Sequence, residues 1–327
     1  MKFNKLALLL GIVLSAALLC GCSNETSLPT SDSNPPPVDH NPAVKVVVTT
    51  DFGQVVLVEK AVDIEENTTA LDALQQVAEV NTKYGGGFVD AINGISSEYK
   101  GANGKKKDWF FYINGMSSKL GANDYVLHDG DIEQWDFRDW SFRQFIPATI
   151  GNLPEPFIHG YGGVVYPTVV AYQDGWEEQA GQIAVKLTDF GVESICTKNA
   201  NELSADEKES SNLILLGASN WQLMEELNQA WDRLGFYVRF EEGNLNVFDS
   251  KGDLAAIYGA GTGVIQVTQS PWNPKGVGAC ENIVCVVSGP DESGVKAAAS
   301  ALVNCYNDFK YAYALVVVGE ELIRVPQ

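Results

Sequence analysis

Asp108-Trp109-Phe110-Phe111-Tyr112-Ile113-Asn114-Gly115 is an unbroken aromatic and aliphatic run closed by Asn-Gly. Side chains of this type fit a pleated, half-buried surface, and Asn-Gly supplies the left-handed backbone of a tight turn, so the segment reads as a strand followed by a turn. Alternation along the strand sends Trp109, Phe111 and Ile113 to one face and Phe110, Tyr112 and Asn114 to the other. Working outward, Val44 to Val58 contains two β-branched runs around Asp51 to Gln54, which predicts a hairpin. Leu71, Leu74, Val77 and Ala78 then fall at helical spacing behind a Thr cap, so one helix packs on the sheet. Tyr84-Gly85-Gly86-Gly87 releases the chain into Phe88 to Ile92, a short strand ending at the turn Asn93-Gly94. The lysine-rich stretch from 100 to 107 is a solvated loop. Tyr125 to Leu127 and Asp129 to Trp135 read as a last hairpin. The spacing therefore predicts a small β-rich, β-grasp-like domain over 44–142.

A proline-rich stretch follows, and residues 143–156 read as a linker. Beyond it the pattern changes. Val164 to Ala171, Asn212 to Gly217 and Ile283 to Gly289 are continuous apolar runs of buried strands, whereas Gly175 to Leu187, Trp221 to Leu234 and Asp291 to Tyr306 have helical character. This alternation predicts an α/β domain with a largely parallel sheet over 157–327. The fold class is thus α+β, a small β-rich domain followed by an α/β domain.

The N-terminus places Lys2 and Lys5 before the apolar stretch Leu6 to Leu19, which is shorter than the about 20 residues of a membrane span and reads as a secretory signal peptide over 1–21. Gly21 directly before Cys22 resembles a lipoprotein box. That resemblance implies a diacylglycerol on Cys22 and an exported chain, lipid-anchored to the outer face of a cell membrane. Residues 22–43, with Pro35, Pro36 and Pro37 and few apolar side chains, read as a disordered tether. The net charge of −20 repels nucleic acid and anionic lipid headgroups, so neither is an expected partner. Cys196, Cys280, Cys285 and Cys305 are permitted disulfides by an exported context, and their pairing stays open. No Cys or His spacing suits zinc.

Taken in order, Thr69 to Leu74, Gly87 to Ile95, Asp108 to Gly115 and Gly121 to Tyr125 resemble the bacterial, DUF4430-like relatives of the C-terminal β domain of transcobalamin and intrinsic factor. The likeness spans roughly 44–140. It implies that cobalamin or a related corrinoid is the ligand, that no covalent group other than the lipid is present, and that the protein hands its ligand to an uptake transporter. In the carriers the β domain closes over the corrin ring against a large helical barrel. Nothing in this sequence looks like that barrel, so the second wall would be the α/β module or another protein, with the ligand held between the two domains. The α/β module has a weaker resemblance to units of surface-layer proteins, chiefly in Asn212 to Gly217 and Ser288 to Leu302, which implies location rather than chemistry.

A corrin is a broad apolar plate edged by amides, and its site needs aromatic surface with a few amide or hydroxyl partners. Trp109, Phe111, Tyr112, Asn114 and Trp135 offer that mixture. Tyr84, Gly86 and Phe88 offer walls and a close backbone approach. The alternative for each aromatic is plain core burial, and for the glycines a flexible turn. Trp135 to Phe142 is rich enough in Trp and Phe to form a seam between modules. Gly259 to Gly263 lacks the lysine of a phosphate loop and reads as a turn. His128 and His159 accompany no nucleophile motif, so a binding protein rather than an enzyme is expected. The alternative function is a cell-surface adhesion or cell-wall interaction protein docking a protein or glycan on the same aromatic face.

Overall fold

The computed structural model describes residues 41–99 and 105–327, and the predicted signal peptide, Cys22, most of the tether and the start of the lysine-rich loop lie outside the described residues. The first elements are β1 (Ala43–Thr50), β2 (Val55–Asp63), α1 (Ala70–Val77), β3 (Val80–Lys83), β4 (Phe88–Ile92), β5 (Ile95–Ser96), β6 (Lys107–Ile113), β7 (Met116–Ser117) and β8 (Ile132–Asp139). Five of these strands form one sheet in the order β2-β1-β8-β6-β7, and β3, β4 and β5 form a small sheet of their own. β1 runs antiparallel to β2 and parallel to β8. The helix starts where Thr69 and Asp72 exchange side-chain and backbone hydrogen bonds, a reciprocal cap of a kind that contributes about 1 kcal/mol. It buries Leu71 and Leu74 in the core.

The predicted last hairpin does not form as such. Its second half continues to Asp139 and pairs with β1 and β6. Its first half docks on the start of α1, where Ala70 N donates to Tyr125 O and Leu127 N to Thr68 O. The N–H groups opening a helix have no intrahelical acceptor, so they compete for the carbonyls of a short strand.

The remaining elements are β9 (Thr168–Tyr172), α2 (Glu177–Asp189), β10 (Ile195–Asn199), α3 (Ala205–Ser210), β11 (Asn212–Ala218), α4 (Gln222–Gln229), β12 (Val238–Glu241), β13 (Asn244–Phe248), β14 (Leu254–Tyr258), β15 (Thr262–Gln269), β16 (Ile283–Gly289), α5 (Glu292–Asn304), β17 (Ala314–Val318) and β18 (Glu321–Val325). Seven strands form a sheet in the order β10-β9-β11-β16-β15-β17-β18, with β12, β13 and β14 in a separate meander. The side from β10 to β16 is parallel. The side from β15 to β18 is antiparallel, so the sheet is mixed rather than largely parallel. The connection from β15 to β16 has no crossover helix, and a parallel pairing needs one. α2 and α5 bury Ile183, Leu187, Val295 and Leu302 against one face. α4 buries Leu223, Met224 and Leu227 against the other.

Residues 143–156, expected as a linker, form a buried strap. Ile146, Ala148, Ile150 and Asn152 are all buried. Thr149 N donates to Gly115 O, Gly151 N to Ala312 O and Tyr311 N to Gly151 O, which ties both large sheets to one strand-like segment. The prolines prevent regular pairing without preventing burial. At Gly151 a Cβ would lie 2.3 Å from Tyr311 N, so the approach requires glycine.

Of the aromatic stretch Trp135 to Phe142, Phe142 packs on Tyr237 and Phe248 while Trp135 and Phe137 lie on the other face of β8, so the contact between the two large sheets is centred on charge instead. Asp136, buried, accepts from Thr49 Oγ1 at 2.8 Å, Gly53 N at 3.1 Å and Tyr313 Oη at 2.9 Å. Arg138, also buried, stacks 3.5 Å over the Phe110 ring and donates to the carbonyls of Arg143 and Gln144, each at 2.8 Å. Burial pushes the Asp136 carboxyl up from its ordinary value, opposed by these donors and the nearby guanidinium. Cys196, Cys280, Cys285 and Cys305 are free thiols. No described helix is long and apolar enough to cross a membrane.

Candidate ligand-binding groove

The pairing of β6 with β8 sets Trp109 opposite Phe137 and Phe111 opposite Trp135. Because directly opposed side chains on one face are close neighbours, these four aromatics form two cross-strand pairs. The Phe111 and Trp135 rings stack at 4.8 Å, and Trp109 meets Phe137 at 5.2 Å. The indole N–H groups are used internally. Trp109 Nε1 donates to Ile95 O at 2.9 Å, and Trp135 Nε1 to Glu133 Oε1 at 2.6 Å. Both rings belong to the core, 6% and 4% exposed, so what they present to the groove is a narrow apolar edge.

A groove of about 240 Å³ lies over this floor. Trp109, Phe111 and Trp135 line it, with Phe88 on one rim and Ser118 and Leu120 on the other. The rims meet at glycine: a Cβ on Gly121 would stand 3.7 Å from the Gly87 carbonyl, in ordinary contact. Tyr84 stands outside the groove at the tip of the β3–β4 hairpin, 89% exposed, with φ of 55°. Such an exposed ring in a left-handed conformation is held out by the turn, with no packing in return. Gly86 belongs to the same tip, between Tyr84 and the lining residue Gly87.

Thus the structure brings together Phe88, Trp109, Phe111 and Trp135, and sets Tyr84 and Gly86 one short turn away. Tyr112 and Asn114 are placed elsewhere. Tyr112 is buried on the opposite face, its ring edge-on to Tyr313 at 5.8 Å. Asn114 is the buried pivot of a turn: its Nδ2 donates to Asp131 Oδ1 and Gly160 O, both at 2.7 Å, and its Oδ1 accepts from Ile132 N. With every polar atom of its amide engaged, it has none left for a ligand. Ser118 and Leu120 were not picked out from sequence. The signal for them was the Asn114-Gly115 turn, which folds the chain back beside β6.

Glu133 precedes Trp135 by two residues on the same face of β8, fully buried, and burial pushes its carboxyl well above the usual range. Its Oε2 has no hydrogen-bond partner among the described residues. Its contribution is to hold the Trp135 ring in place. His159 and His128 sit together on another side, where His159 Nδ1 lies 2.6 Å from Glu155 Oε1 and His128 Nδ1 lies 3.8 Å from Asp131 Oδ2. The hydrogen bond to Glu155 raises the His159 pKa above its ordinary value. No group of three or more candidate metal ligands occurs among the described residues. In the Gly259 to Gly263 turn, Gly261 N already donates to both carboxylate oxygens of Asp291.

Residues 67–139 match the family described as "Domain of unknown function (DUF4430)", a segment that contains the whole groove. No curated protein matches the chain. Among solved structures, a "putative metal binding protein" from Ruminococcus gnavus ATCC 29149 is similar at 13% identity, over 30% of this chain and 97% of that one, with a TM-score of 0.23.

Proposed function

We propose that this protein is a capture device, exported and lipid-anchored through Cys22, that grips a flat, largely apolar ligand by the edge in the aromatic groove. The carrying observation is the stacked Phe111–Trp135 floor flanked by Phe88, Leu120 and Ser118. Cobalamin or a related corrinoid is the ligand we favour. Its plate is too broad for a groove of about 240 Å³, which is smaller than the about 300–1,000 Å³ that encloses a drug-sized molecule. The groove would take one edge of the ring, with Tyr84 lying along its face. The α/β module packs on the opposite side of β6 and β8 and so does not supply a second wall here. That wall, in our reading, belongs to another protein, such as the transporter that receives the ligand. The protein acts by binding, with no catalytic step of its own.

Mixing the purified full-length chain with cyanocobalamin, followed by gel filtration, tests this directly. Chromophore should travel with the protein and be lost on Phe111→Ala. Colourless protein with every corrinoid tried would refute the corrinoid assignment. A second reading, docking of a protein or glycan, draws on the exposed ring of Tyr84 beside exposed Phe88 and Leu120, an apolar rim of the kind that marks interaction sites.

A further inference from the structure

The parallel half of the seven-stranded sheet, β10-β9-β11-β16, reverses its direction of winding at β9. From β9 the chain passes through α2 to β10 on one flank, then through α3 to β11 on the other flank of β9. In open α/β sheets such a reversal leaves a crevice outside the carboxyl ends of the two diverging strands, since the connections there lead away from each other. A cavity of about 560 Å³ occupies that place. Gln173 and Asp174 line it from the end of β9, Ala218 from the end of β11, Glu178 from the first turn of α2, and Glu292 and Lys296 from the start of α5. Its volume lies within the range of small-molecule sites. It shares no residue with the aromatic groove.

The charges in this crevice do not balance. Lys296 Nζ sits 2.6 Å from Glu292 Oε1, so the single cation is matched by one carboxylate. Asp174 Oδ1 accepts from the neutral amide of Asn199 at 2.6 Å, and the nearest polar partner of Glu178 is the amide of Gln182 at 3.4 Å. Two exposed carboxylates therefore line the crevice, and among the described residues no Lys or Arg is paired with either. The start of α2 adds donors, because Trp176 at its cap makes no side-chain hydrogen bond to the opening turn. An anion is disfavoured there all the same, since Glu177 and Glu178 already occupy the positive end of the helix. A ligand suited to these walls carries a positive charge for Asp174 and Glu178, and hydroxyl oxygens for the backbone donors.

We propose that the crevice at the β9–β11 switch binds a small hydroxylated amine, of the size and chemistry of an amino sugar. This second site is independent of the groove and of its ligand.

Saturation-transfer NMR on the full-length chain, with glucosamine, glucose and glucuronate as probes, tests the proposal. Glucosamine should bind, glucose more weakly, and glucuronate not at all. Asp174→Asn combined with Glu178→Gln should weaken glucosamine by about tenfold, as expected for the loss of charge-assisted hydrogen bonds. Ala218→Leu should do the same by filling the cavity, and circular dichroism and melting of each variant separate loss of binding from loss of fold. No transfer to glucosamine would overturn the proposal, as would equal binding of glucuronate or an unchanged affinity in folded variants. Binding abolished by Phe111→Ala instead would place the ligand in the groove and equally overturn it.

Discussion

The two faces of the β6–β8 pair are made from the same strands and the same kinds of residue, yet they serve opposite ends. One face carries Trp109, Phe111, Trp135 and Phe137, with a groove above it. The other carries Tyr112, Gln134, Asp136 and Arg138, all buried beneath the second sheet and the strap. On the groove face the polar atoms of the rings are used up internally, leaving apolar surface for a guest. On the seam face the charges and hydroxyls bond across to Thr49, Gly53, Tyr313 and the carbonyls of 143 and 144. A strand two residues out of register would keep both faces; one residue out would exchange them.

Truncating one residue on each face should have unequal effects. Arg138→Ala removes the donor to the buried carbonyl of Arg143 and the half-buried one of Gln144 and leaves Asp136 without its neighbouring cation, and should cost about 3–5 kcal/mol in urea unfolding. Phe111→Ala, on a half-buried ring, should cost about 2 kcal/mol or less while removing ligand binding. Equal losses of stability would mean that the groove face is simply core.

A subtler test concerns Glu133. Its carboxyl is raised well above 4.5 in the fold, so the folded state favours the proton. The penalty for ionisation is absent below pH 4.5, grows as pH rises past it, and levels off above the folded pKa. Glu133→Gln keeps an acceptor for Trp135 and removes that penalty. It should gain on the order of 1 kcal/mol at pH 8, with the gain vanishing near pH 4, as read from melting curves. A gain independent of pH would show that packing rather than charge is responsible.

The smallest effect is expected at His159, whose pKa is raised by Glu155. The stabilisation is complete below the ordinary value of 6.5 and fades as pH rises through the folded value. His159→Asn should therefore lower stability by on the order of 0.5 kcal/mol at pH 5.5, given its partial exposure, and by less at pH 9. A loss that grows toward high pH would reverse the assignment.

The alternation of Trp109 and Phe111 against Tyr112 was legible in the sequence, because period two is a property of the strand alone. Which set faces a ligand was not, since that depends on what the second sheet covers. The hairpin of β1 and β2, the capped α1 and the turns at Asn93-Gly94 and Asn114-Gly115 are likewise local and readable. Both turns have the left-handed backbone that those pairs favour. The antiparallel half of the second sheet is less legible, because β15 mixes Gln266, Thr268 and Gln269 with its apolar residues although the whole strand is buried, and β18 is mostly half-buried or exposed. The strap is hidden for another reason. Its prolines and glycines carry the composition of a loop, and only partners more than a hundred residues away, such as Tyr311 and Ala312, show that it is buried. The amide of Asn114 is a similar case, since the groups that occupy it, Asp131 Oδ1 and Gly160 O, lie 17 and 46 residues away.

β1 lies in the interior of its sheet, bonded to β2 on one edge and running parallel to β8 on the other. Consider a pull at residue 41 applied along this strand. Bonds perpendicular to the pull are then loaded together, in shear, instead of opening one at a time as at the end of a hairpin. Arg324, donating to Gly53 O at 3.0 Å, fastens the far end of the same hairpin to the last strand of the molecule. Under such a pull the strand would give way by shear, not by peeling.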